Sequence, residues 1–114
     1  MKAPDFFVDL FQSALRPNEI LTTIRVPATD GHVAYEKFAN KASGFAICGV
    51  AVVTSPELRI GVTGVAAKPY RAASVDGVTE GVDVLGDHHA SAEFRAHLAR
   101  VHAKRALERA SKGS

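Results

Sequence analysis

Phe45-Ala46-Ile47-Cys48-Gly49-Val50-Ala51-Val52-Val53 is a run without a charge and almost without a polar side chain. Nine residues are too few for an independent helix, and the β-branched side chains favour extended backbone. Gly49 and the valines argue against a buried helical turn. The run therefore predicts a strand buried on both faces, as continuous apolar strands are. The rest of the chain has to cover it.

The chain of 114 residues suits one domain that buries about two-thirds of its unfolded surface. A net charge of +2 is too small to imply nucleic acid. Cys48 is the only cysteine, which excludes intrachain disulfides and thiolate iron–sulfur sites, and its place in the apolar run predicts a buried, inert thiol. No segment reaches the roughly 20 apolar residues of a membrane span. A charged stretch followed by an apolar one is missing at the N-terminus, so a cytoplasmic protein without a signal peptide is expected.

Phe6, Phe7, Val8, Leu10 and Phe11 cluster in a short arm or helical turn that has to pack on something, either its own sheet or a neighbouring domain. Pro17 and Asn18 mark a turn. Ile20 to Val26 alternates, with Thr22, Ile24 and Val26 on one face and Leu21, Thr23 and Arg25 on the other, and Pro27 ends this predicted strand. Asp30-Gly31 predicts a hairpin into a second strand over 32–38. The apolar run is the third strand, and 58–66 is the fourth, where Gly61 and Gly64 allow close approach to the backbone. Pro69 opens one or two predicted helical turns over 70–75, and 79–89 reads as loop. Ser91 caps a last helix running to about Ala110, with Glu93 in its first turn. Its stripe of Phe94, Leu98 and Val101 is expected on the sheet and its alanine face, with Leu107, on a neighbour; residues 112–114 are expected to fray. Short connections between successive strands predict an α+β fold: a three- to four-stranded antiparallel sheet covered by C-terminal helices.

Little in this pattern carries chemistry. Arg95, Arg100, Lys104, Arg105, Arg109 and Lys112 point around much of the last helix, as a solvated face does. His97 and His102 are five apart, poor spacing for a shared metal. No G-x-S-x-G elbow, phosphate loop or dinucleotide turn is present. The chain is thus expected to be non-catalytic alone and to hold no metal.

The order of segments is more specific. Phe6-Phe7 precedes Ala14-Leu15-Arg16-Pro17-Asn18-Glu19-Ile20-Leu21-Thr22, then Ile24-Arg25-Val26-Pro27, Ala34-Tyr35-Glu36-Lys37-Phe38 and Phe45-Ala46-Ile47-Cys48-Gly49-Val50-Ala51. Thr63 to Ala72 and Ser91 to Arg100 follow. In this order they resemble the C-terminal domain of the FAD-binding medium subunit of carbon monoxide dehydrogenase and xanthine dehydrogenase-type molybdenum hydroxylases. The resemblance covers nearly the whole chain. It implies a partial or accessory flavoprotein subunit of an oxidoreductase complex, helping to enclose FAD as electrons arrive from molybdenum and iron–sulfur centres. It implies FAD held mainly by an absent N-terminal domain encoded elsewhere, and a molybdopterin large subunit and a 2Fe-2S small subunit as partners. Neither nucleic acid nor membrane is implied. Phe11 falls where the family can place an aromatic beside the flavin, and Lys41 is the next near-flavin candidate.

Three departures accompany the resemblance. The flavin-binding domain does not precede Phe6, which predicts about one third of a subunit. The loop before the third strand has Lys41 and Gly44 where the family usually has Arg and Asp. The segment from Ser74 to Asp87 is short and broken by glycines. The alternative they favour is a stand-alone interaction module or degenerate remnant without flavin.

Overall fold

The computed structural model describes residues 1–112. Its centre is β4 (Ala46–Val53), the predicted apolar strand. It lies between β3 (Val33–Ala39) and β5 (Arg59–Thr63), and β6 (Tyr70–Ala72) pairs with the far side of β5. Every pairing in this four-stranded sheet is antiparallel. An arm precedes it, made of the single turn α1 (Ala3–Phe6) and a hairpin of β1 (Phe7–Asp9) and β2 (Gln12–Ser13). The last element is α2 (Ala92–Ser111). The Ser91 hydroxyl caps it by accepting from the Phe94 amide at 3.1 Å, as the sequence predicts. Lys112 closes the helix by donating its amide to Glu108; the expected fraying of 113–114 lies outside the described residues. No helix among the described residues is long and apolar enough to cross a membrane.

The core fills the space between one face of the sheet and α2. Cys48, Val50 and Val52 of β4 and Ile60 and Val62 of β5 meet Leu98, Ala99, Ala103, Ala106 and Ala110. The alanine face is therefore the sheet-packing face. Small side chains let the helix lie close over a valine-rich sheet, since the spacing of packed elements follows side-chain size. Phe94, expected against the sheet, is exposed at the rim and meets Phe38 edge to face. Val65, Val78 and Ala90 extend the core from the loops. The Tyr70 hydroxyl donates to the Val78 carbonyl at 2.8 Å and ties the loop to β6. Burial pushes the Cys48 thiol up to about 11, opposed in part by the Arg95 guanidinium; the thiol is neutral and inert, as expected from its position.

Other expectations fail as well. β4 is not buried on both faces along its whole length: Ile47 and Gly49 are buried, but Ala51 is exposed and Val53 half-buried beside an open groove. Residues 20–26 form no strand. The Asp30-Gly31 hairpin does not form, because Gly31 packs against the β4–β5 turn, where a Cβ would stand 2.6 Å from the Ser55 nitrogen. The Thr29 hydroxyl donates to the Ser55 carbonyl at 3.1 Å and holds the chain there. Residues 70–72 join the sheet rather than a helix. Three of the predicted strands survive, and β6 replaces the first. One long helix, α2, stands where C-terminal helices were expected.

Candidate functional site

The structure offers two exposed features and one buried cluster. The first is the arm. The Asp9 carboxylate accepts the Leu10 amide at 2.8 Å and turns the chain. Phe11 follows in the left-handed region, φ 52°, a conformation that is costly for a side chain with a Cβ. Its ring is 100% exposed. Phe11 borders a cavity of about 260 Å³ with Phe6, Phe7, Lys68 and Pro69.

Lys41 sits on a different element, the β3–β4 loop. Asn40 shapes that loop: its side-chain oxygen accepts the amides of Ala42 and Ser43 at 2.9 and 3.3 Å. Its other side-chain atom lies 3.3 Å from His89 Nδ1. Lys41 is exposed and does not line the cavity beside Phe11. Gly44, where the family usually has Asp, lies at φ +75° with open space where a Cβ would project; its carbonyl accepts the Lys37 ammonium at 3.1 Å.

The second exposed feature is the open face of the sheet. A groove of about 660 Å³ runs over it, within the range of small-molecule sites. Gly49, Ala51 and Gly61 make a flat floor, the Tyr35 ring lies over Gly49, and Phe7 closes one side. Arg71 at its edge pairs with Glu57 at 3.1 Å. Sequence reasoning missed this groove. Its signal was the small side chains at alternate positions of β4 and at the facing position of β5.

The buried cluster centres on Arg95, expected on a solvated helix face but 7% exposed. Its Nη1 donates to the Ile47 carbonyl at 2.9 Å and the Gly64 carbonyl at 2.7 Å, and its Nη2 to Asp87 Oδ1 at 3.0 Å. One side chain thus fastens the start of β4, the end of β5 and the 85–90 loop to the first turns of α2. Asp87 Oδ1 also accepts the amides of His89 and Ala90. These bonds, the His89 amide foremost and then the Arg95 guanidinium, hold the carboxyl down at about 2. A folded-state pKa below the unfolded value of about 3.9 contributes stability that is fully present above that value. It is lost as the pH falls toward 2. We expect the thermal midpoint to fall between pH 4 and 2, and the fall to be smaller in Asp87→Asn; equal slopes in the two proteins would contradict this assignment. No group of three or more metal-ligating side chains occurs among the described residues.

No family model matches the chain. Over 95% of its length it is 31% identical to the carbon monoxide dehydrogenase medium chain of Afipia carboxidovorans, covering 46% of that protein. The chain is homologous to the medium subunits of carbon monoxide dehydrogenase and its relatives. It spans about half the length of the curated relatives it matches, more than the third expected from its segments. The alignment with the Afipia protein runs over 134 positions, so that relative has at least 20 residues without a counterpart in a chain of 114. Among solved structures, carbon monoxide dehydrogenase from Hydrogenophaga pseudoflava superposes with a TM-score of 0.82 at 27% identity, over 96% of this chain and 47% of that one. Quinoline 2-oxidoreductase from Pseudomonas putida 86 reaches 0.84 at 20% identity over the same 96%, covering 47% of its chain, and shares the fold.

Proposed function

We propose that the chain is part of the flavoprotein medium subunit of a molybdenum hydroxylase of carbon monoxide dehydrogenase type and works in the cytoplasm. It corresponds to the C-terminal domain of that subunit and packs against an FAD-binding domain. A molybdopterin large subunit and a 2Fe-2S small subunit complete the complex. The supporting observation is the Afipia match over nearly the whole chain; the fold likeness accompanies it.

FAD, when bound, would take electrons from the metal centres and pass them to an acceptor. The residues of this chain suit a cover for the flavin rather than a cradle for its phosphates. Phe11 presents a fully exposed ring on a turn held by Asp9. Exposed aromatic surface gains by stacking on an apolar partner. The role of Phe11 is to exclude water from one side of the ring system, and that of Lys41 is to place a cation at its border.

The test is to tag the chain in its native host, purify it gently and identify its companions by mass spectrometry. A molybdopterin subunit and a flavin-binding domain are expected. In that complex Phe11→Ala should expose the flavin, seen as rising flavin fluorescence, and Lys41→Ala should shift the flavin reduction potential downward, since a nearby cation favours the reduced, anionic form. A complex indifferent to both substitutions would overturn these roles, and a chain without partners would favour an interaction module that binds no flavin.

A further inference from the structure

Residues 20–26 carry the alternating sequence pattern of a strand yet belong to no sheet. Ile20, Ile24 and Val26 are 84%, 75% and 84% exposed and recur at the even spacing of one strand face. Leu21, Thr23 and Arg25 alternate with them. Among the described residues, no hydrogen bond joins the backbone of 20–28 to anything. The segment is bounded at both ends. Before it, the Arg16–Glu19 turn is closed by the Glu19 amide on the Arg16 carbonyl at 3.0 Å and the Arg16 amide on the Glu19 carboxylate at 2.8 Å. After it, Pro27 has no amide to offer.

Its own sheet does not take it. Thr29 and Gly31 are fastened to Ser55, at the turn between β4 and β5, so the chain cannot double back along β3. On β3 the Tyr35 carbonyl is occupied by Arg109 Nη1 at 3.1 Å, and Arg109 also pairs with Glu36 at 3.0 Å. A segment with unpaired amides and carbonyls, β-branched side chains and one apolar face matches what a sheet edge accepts in β-augmentation.

We infer that residues 20–26 are a donor strand that adds to the open edge of a β-sheet in the flavin-binding domain. One edge of its backbone makes the ladder bonds, and Ile20, Ile24 and Val26 cover the apolar layer of that sheet. This rests on the reading that the chain works against such a domain.

Residue-resolved hydrogen exchange tests it, comparing the complex purified from the native host with the recombinant chain alone. Only one edge of an added strand is paired, so alternate amides within 20–26 should slow by at least about tenfold in the complex. All of them should exchange freely in the lone chain. Thr22→Pro and Thr23→Pro then separate the two edges: one should abolish association and the other leave it within about threefold, because proline is tolerated where the amide is unpaired. A flavin domain that co-purifies while every amide of 20–26 stays fast, or while both prolines act alike, overturns the donor strand and leaves the medium-subunit reading standing. A complex without a flavin domain overturns both.

Discussion

Arg95→Ala should destabilise the chain by about 3 kcal/mol, within the range for breaking a buried ion pair by removing one partner. The loss has three parts. The Ile47 and Gly64 carbonyls lose their donor, and a buried acceptor left unmet costs about 1–3 kcal/mol. Asp87 loses its guanidinium, although half of its side chain is in water and that share is small. The 85–90 loop loses its fastening to α2. An apolar substitute of similar length does not help, because the two carbonyls stay unpaired; Arg95→Met should therefore be nearly as damaging as Arg95→Ala. Urea unfolding followed by circular dichroism gives the comparison. A change below about 0.5 kcal/mol would place Arg95 among ordinary surface substitutions and remove the cluster from the account of stability.

Gly64→Ala should cost about as much, for a different reason. Gly64 lies at φ +84°, and a Cβ there would stand 2.7 Å from the Ile47 carbonyl oxygen and 2.8 Å from that of Ala46. Both neighbours are backbone atoms of β4 and its entry, so neither can rotate away. Ile47 is also the residue whose carbonyl Arg95 holds, and any retreat by that strand pulls on the cluster. Backbone strain contributes about 1–2 kcal/mol, and the collision adds a similar amount. Gly81→Ala is the control: φ is +72° with nothing within 4 Å of the added atom, so only the strain should appear. Gly64→Ala is expected to exceed Gly81→Ala by at least 1 kcal/mol. It should also be non-additive with Arg95→Ala, since both act on one set of carbonyls. Equal costs at the two glycines would refute the packing part.

What the sequence disclosed follows the reach of each interaction. β4 was legible because nine apolar residues in a row admit few other readings. The Ser91 cap was legible because its partner, the Phe94 amide, lies three residues away. Arg95 was misread because its acceptors lie 31 and 48 residues back, and local spacing reports only that a cation sits on a helix. Residues 70–72 were read as helical because an edge strand of three residues is too short to show alternation. The alanine face was assigned to a neighbour because large side chains are the usual mark of a core, whereas here the valines of the sheet supply the bulk. Residues 20–26 carry every local sign of a strand, and only the fastening of Thr29 and Gly31 to Ser55 decides that their own sheet does not take them. Of the candidate site, the sequence and the resemblance gave Phe11 and Lys41; the structure adds that they stand on separate elements, the hairpin and the β3–β4 loop.

The central claim is that this chain serves a flavoprotein, and the flavin content of the complex from its native host tests it most directly. The visible absorption spectrum of the gently purified complex, set against its protein concentration, should show close to one flavin per copy of this chain, bleached by a reductant. A colourless preparation that contains this chain with no flavin-binding domain would contradict the claim.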